Sequence, residues 1–287
     1  MPKNQRDFKA VLILCEGKTD VAFIRRVLLS EHYTDYKKNI NEFESPLKEY
    51  FSNKLKDFDY DAGTVFDRPL VPVILRRAHG NSLTYALLYS VEGDNVENYS
   101  EIISDYKVLM SNQEDEDSYE RELLGETFIS LIFLLDADNK SVNEKIEYLK
   151  EHFRGLIPQI EYLSDQRMEI DTPEFKLVSL CILCDPQSNS GNLEDIILEM
   201  LKPEGNDLIE YATTFLKHFQ FQRKSEAKQL SDFKKSIVGI VGQVEVSGLD
   251  NANIIKLTRL FNDKLQTHPK CLEILATVSK SRQALQK

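Results

Sequence analysis

Val11-Leu12-Ile13-Leu14-Cys15-Glu16-Gly17-Lys18-Thr19-Asp20 is the stretch on which the fold turns, and Phe133-Leu134-Leu135-Asp136-Ala137-Asp138 repeats its pattern far downstream. In each, an aliphatic run stops abruptly at carboxylates. Such runs read as strands buried on both faces, as in a parallel sheet. Parallel sheets carry their chemistry beyond the carboxyl ends of their strands. Two of these ends side by side gather negative charge on one edge, and a hard divalent cation is what such oxygen donors hold.

Working outward, Ala10–Cys15 is the expected first strand. Thr19–Ser30 is its helix, with Thr19 or Asp20 as the cap. Residues 31–69 are polar and aromatic without a clear period and read as an insertion. Leu70–Leu75 reads as the second strand, ending at Arg76-Arg77-Ala78-His79-Gly80. A helix over Leu83–Ser90, capped by Asn81 or Ser82, is expected next. Residues 91–127 contain the acidic run Glu114-Asp115-Glu116-Asp117 and read as a second insertion. Phe128–Leu135 is the third expected strand and Val142–Phe153 its helix. Phe175–Cys184 is the fourth, followed by a loop and a helix capped by Asn192. Helices are expected over Leu208–Phe221, Ser225–Val241, Asn251–Lys264 and Cys271–Gln286.

This alternation predicts an α/β fold: a mostly parallel four-stranded sheet, flanked by helices and joined by right-handed crossovers. The expected organisation is a catalytic α/β domain over 8–205, with insertions at about 31–69 and 91–127. A helical C-terminal region over 206–287 packs on it or extends it.

The 287 residues are 41% hydrophobic and 29% charged, the balance of a soluble globular protein. No apolar run is long enough for a membrane span, and the first residues lack a signal-like stretch, so a cytoplasmic location is expected. Cys181 and Cys184 have C-x-x-C spacing but lie within an apolar run, which favours a buried strand pair over zinc or redox chemistry. The net charge of −11 argues at first against a nucleic-acid partner. It is unevenly spread, however: residues 216–287 hold 13 Lys/Arg against 6 Asp/Glu, and the first 215 hold 23 against 41.

Taken singly, Asp20 and Asp138 suit helix caps and Glu16 a surface turn. Taken together, in strand–turn–helix context, these acids and Asp136 favour a metal site. The constellation resembles the Toprim domain, the catalytic fold of topoisomerases, bacterial primases and several nucleases. It is closer to the OLD-family nucleases and their single-domain relatives, which include phage-defence proteins. In that branch a Glu and an acid four residues later follow the first strand, as Glu16 and Asp20 do here. A D-x-D follows a later strand, as Asp136-Ala137-Asp138 does. A Ser-x-Glu element opens a subsequent helix; Asn192-Leu193-Glu194 stands there, with Asn in place of Ser. A Lys follows downstream, matched by Lys224 or Lys228. The resemblance covers about residues 8–240.

What the resemblance implies is cleavage of DNA or RNA with one or two Mg²⁺ or Mn²⁺ ions. Glu16, Asp20, Asp136, Asp138, Asn192 and Glu194 would hold metal. Glu16, Asp136, Asp138 and Lys224 or Lys228 would be catalytic. Arg76, Arg77, His79 and the basic C-terminal helices would contact nucleic-acid phosphates. Gly17-Lys18-Thr19 mimics the tail of a P-loop, but Leu12 stands where its first Gly is required, so an ATPase is expected only as a separate subunit. The helical C-terminal region offers a homodimer surface. Two further readings stay open: a non-catalytic Toprim-fold regulatory or partner subunit of a defence system, and a phosphotransferase or phosphatase acting on a small phosphate ester.

Overall fold

Four strands lie parallel at the centre of the sheet, and antiparallel strands close both of its sides. The computed structural model describes residues 7–36, 43, 45, 47–54, 71–80, 82–93, 95–115, 126–138, 140–185, 190–202, 207–218 and 226–286. The strands are β1 (Phe8–Cys15), β2 (Thr34–Asp35), β3 (Val73–His79), β4 (Ser82–Ser90), β5 (Thr127–Asp136), β6 (Glu169–Ile170) and β7 (Val178–Leu183). They form one seven-stranded sheet in the order β2-β3-β4-β1-β5-β7-β6. β1 pairs in parallel with β4 and β5, and β5 with β7. β2–β3, β3–β4 and β6–β7 are antiparallel. The fold is therefore α/β with a mixed sheet, wider than the four strands expected.

The helices are α1 (Lys18–Leu29), α2 (Leu47–Lys54), α3 (Val96–Asp115), α4 (Val142–Phe153), α5 (Leu193–Met200), α6 (Leu208–Leu216), α7 (Glu226–Gln243), α8 (Asn251–Leu257) and α9 (Pro269–Ala284). On one face of the sheet, Phe133 of β5 meets Tyr99 of α3 and Phe153 of α4. On the other, Ile13, Ile132 and Leu134 meet Ile24 of α1 and Ile274 and Val278 of α9. The central strands are buried along nearly their whole length, which explains their unbroken apolar sequences.

Three expectations are corrected. Leu83–Ser90 is a strand, not a helix. Gly80 adopts φ 58°, which glycine allows without steric cost, and His79 pairs with Ser82, so the chain doubles straight back. The eight residues then fill the slot beside β1, with Tyr85, Leu87, Leu88 and Tyr89 buried. Residues 91–127 are not an insertion at their core. α3 is the crossover from β4 to β5, burying Tyr99, Ile102, Ile103 and Tyr106. The cap of α1 is Gly17 rather than Thr19 or Asp20. Asn81, Glu116 and Asp117 lie outside the described residues.

The C-terminal helices are welded to this layer. Arg26 of α1 is buried and donates from Nη1 to the carbonyls of Ile255 (2.7 Å) and Thr258 (2.5 Å), and from Nη2 to Asn262 Oδ1. Ser130 Oγ on β5 donates to the Ser281 carbonyl at 3.0 Å. Lys270 Nζ reaches the Ile182 carbonyl on β7 at 3.0 Å. The four cysteines are buried free thiols, as the apolar run around Cys181 and Cys184 suggested. Among the described residues, no helix is long and apolar enough to cross a membrane.

Candidate functional site

Because β1, β5 and β7 run in parallel, their carboxyl ends open on one edge, and each delivers acids there. Glu16 directly follows β1 and Asp136 ends β5. Glu194 and Asp195 open α5, which follows β7. Cys15 is in register with Leu134, so Glu16 leaves its strand beside Asp136. The Asp136 N–H donates to Glu16 Oε1 at 3.2 Å. Asp136 Oδ1 in turn accepts the Leu193 N–H at 3.0 Å, which ties the end of β5 to the first turn of α5. Asp20, at the third position of α1, accepts the Gly17 N–H at 2.6 Å.

Asp138 leaves the extended path. Its φ is 54°, a left-handed conformation that Asp tolerates better than most residues. Two backbone bonds with Gly191 hold it, Asp138 N–H to Gly191 O at 2.5 Å and Gly191 N–H to Asp138 O at 2.7 Å. Asp138 is consequently exposed, whereas Asp136 is half-buried. Gly191 is required where it stands: its φ is 97°, and an added Cβ would lie 2.3 Å from Asp195 Oδ2.

The acids act on one another. Burial pushes the Asp20 carboxyl up to about 8; Glu16 and Glu194 push the same way, the Gly17 N–H and Lys235 against. Asp136 is raised well above the usual carboxylate range by burial, then by Asp20, Glu16, Glu194 and Asp138. Glu194 is raised by burial, opposed by Lys235 and Lys234. Five carboxylates from three strand ends thus share one electrostatic neighbourhood. Asn192 lies between two residues bonded to these acids, Gly191 and Leu193. It is buried, and its side-chain oxygen has no hydrogen-bond partner. Carboxylate and amide oxygens are the donor set that Mg²⁺ or Mn²⁺ takes. As the side chains stand, no three His, Cys, Asp or Glu among the described residues form a group that could hold a metal ion.

Lysines partly balance this charge. Lys145 of α4 is buried, with Nζ 3.3 Å from Glu16 Oε1 and 3.5 Å from Asp138 Oδ2. Lys234 of α7 lies 2.7 Å from Asp195 Oδ1. Neither Lys145 nor Lys235 was anticipated from the sequence. Lys145 shares an inward stripe with Leu149 at i+4, a spacing that makes it legible in retrospect. Of the downstream lysines that were anticipated, Lys224 lies outside the described residues. Lys228 is exposed on α7. Lys235 shares its helix face two turns on, about 10 Å further along the axis, and it is Lys235 that acts on Asp20 and Glu194.

Arg76, Arg77 and His79 are not at this edge. β3 is antiparallel to β4, so its end lies at the opposite side of the sheet, where His79 pairs with Ser82. Treating the second strand as parallel put them at the wrong end.

The raised carboxyls set a pH dependence. With a folded value of about 8 and an ordinary value of 3.8, Asp20 keeps a proton that the unfolded chain has released. That contribution is fully present below about pH 4 and is lost as pH rises toward about 8. Asp136 and Glu194 carry the same sign. Glu144 and Glu245 are shifted the other way and act only at or below the ordinary carboxylate range. Thermal melts in chelator are expected to show the melting temperature falling between about pH 5 and pH 8, and falling less in Asp20→Asn. A wild-type melting temperature that rises over that span would contradict the assignment.

No curated protein and no solved structure matches the chain. One family model covers residues 10–277, from β1 into α9 and so across the whole acidic edge. The chain belongs to that family, described as Protein of unknown function (DUF3226).

Proposed function

We propose that this protein is a Toprim-like, divalent-metal-dependent nuclease. The reading rests on one observation: the carboxyl edge of the parallel strands carries Glu16, Asp20, Asp136 and Glu194, with the Asp136 N–H bonded to Glu16 and the Asp136 carboxylate bonded to the first turn of the helix that Glu194 opens. Such charge is destabilising unless a cation is drawn to it. The order of the elements, an acid pair after the first strand, a D-x-D and then a Glu opening a helix, supports the same reading.

In this proposal Glu16, Asp20, Asp136 and Glu194 hold the ion or ions, with the unpaired amide oxygen of Asn192 as a further donor. When bound, a divalent ion polarises the phosphodiester and makes water a nucleophile near neutral pH. Lys145 pairs with Glu16 and Asp138 in the resting site. Its ammonium, with that of Lys235, offsets charge developing on the phosphate. Asp138, exposed and outside that ligand set, would accept a proton from the attacking water.

The reading is tested by incubating purified protein with supercoiled DNA and with RNA, under Mg²⁺ or Mn²⁺ and under chelator. Cleavage of one polymer, lost on chelation, is the expected result. Intact DNA and RNA with either ion would reject it. Lys145 favours a second reading, a non-catalytic partner subunit of the same fold, because a resident ammonium compensates the acids without metal. Tight divalent binding without cleavage of either polymer would favour that reading.

A further inference from the structure

A second polar site lies at the opposite edge of the sheet, and its charge has the opposite sign. The end of α1, the end of β3 and the last turns of α9 meet there around a cavity of about 130 Å³. Arg77, Arg282, Tyr33 and Ser279 line it, with Glu31 as the one carboxylate among the described lining residues. Leu28, Leu275 and Val278 form an apolar wall.

Two of the residues around it carry donors without acceptors. Nε and Nη1 of Arg282 are buried without a hydrogen-bond partner, and so is the hydroxyl of Tyr33. Tyr33 is itself only 3% exposed. A guanidinium is always charged and carries five N–H donors, so leaving two of its nitrogens dry and unpaired is among the costlier arrangements a fold can hold. Arg77 is held in place by its position on β3 and by the Tyr33 ring, 5.6 Å from its guanidinium. Burial raises the Tyr33 hydroxyl's proton affinity, and Arg282 and Arg77 both oppose that.

We propose that the cavity between Tyr33, Arg77 and Arg282 binds a small oxyanion of the phosphate class. Two guanidiniums give the forked, bidentate donor geometry that tetrahedral oxyanions accept, and the tyrosine and serine hydroxyls add two donors. The volume corresponds to about four water molecules, enough for a phosphate group but too small for a whole nucleotide. A nucleotide would therefore enter by its phosphate alone. Glu31 lowers the site's net positive charge and weakens the grip.

The test uses the full chain in chelator at fixed ionic strength, with inorganic phosphate as the probe and calorimetry as the readout. Saturable binding is expected, weakened about tenfold or more in Arg282→Gln and in Arg77→Gln, and tightened in Glu31→Gln. Glu147→Gln, exposed on α4 and outside both sites, should leave it unchanged. No saturable uptake, or uptake equal in wild type and in both arginine variants, would overturn the proposal. So would acetate binding as tightly as phosphate. Should Arg282→Gln fail to fold by circular dichroism, Arg77→Gln and Tyr33→Phe decide the matter. A nucleoside 5′-monophosphate that binds more tightly than inorganic phosphate identifies a nucleotide as the source. Equal or weaker binding identifies the free ion.

Discussion

Asp136→Asn is expected to lower divalent-dependent strand cleavage by about 10²- to 10³-fold or more, the range for removing a group that stabilises charge in the transition state. The same change is expected to raise the melting temperature of the metal-free protein. Asp136 is surrounded by Asp20, Glu16, Glu194 and Asp138, each of which opposes its ionisation. An amide there removes the repulsion yet still accepts the Leu193 N–H through its oxygen. The two effects therefore have opposite signs, which separates a functional acid from a structural one. A structural role would lower both stability and activity. The wild type should gain melting temperature on addition of Mg²⁺ or Mn²⁺, and the variant should gain much less. Undiminished cleavage by Asp136→Asn would remove the basis of the nuclease reading.

The second large effect is on stability. Arg26→Ala is expected to cost about 3–5 kcal/mol, because it strips a charged donor from the Ile255 and Thr258 carbonyls and from Asn262 at once. Hydrogen bonds to charged groups contribute about 1.5–3 kcal/mol each, and two of these acceptors would be left buried. The guanidinium also stacks 5.1 Å from the Phe261 ring, so apolar contact is lost with it. Arg26→Lys should recover only part of the loss, since one ammonium cannot span three acceptors in the guanidinium's plane. Urea unfolding would measure it; a loss under about 1 kcal/mol would show that α8 holds to α1 by apolar packing alone.

The acidic edge was legible because its signals are local. A buried strand followed directly by a carboxylate needs no tertiary information, and β1, β5 and α4 fall within a residue or two of their expected limits. Leu83–Ser90 was misread because an apolar run of eight residues fits a short helix or a central strand equally well. What decides between them is partnership with β1, which no local window contains. That single error also moved Arg76, Arg77 and His79 to the wrong edge, because strand direction alternates with each hairpin. Lys145 and Lys235 escaped for another reason. A lysine's reach exceeds its helix face, and which acid it meets depends on how α4 and α7 settle on the sheet.

The Ser130–Ser281 bond has a bearing on synthesis. A ribosome emitting this polypeptide exposes the middle strands long before the segment that shelters them, 151 positions later, has been made. Until then that face of the middle strands is covered by α1 without α9. Native closure is then a late event, of the slow kind that distant partners impose.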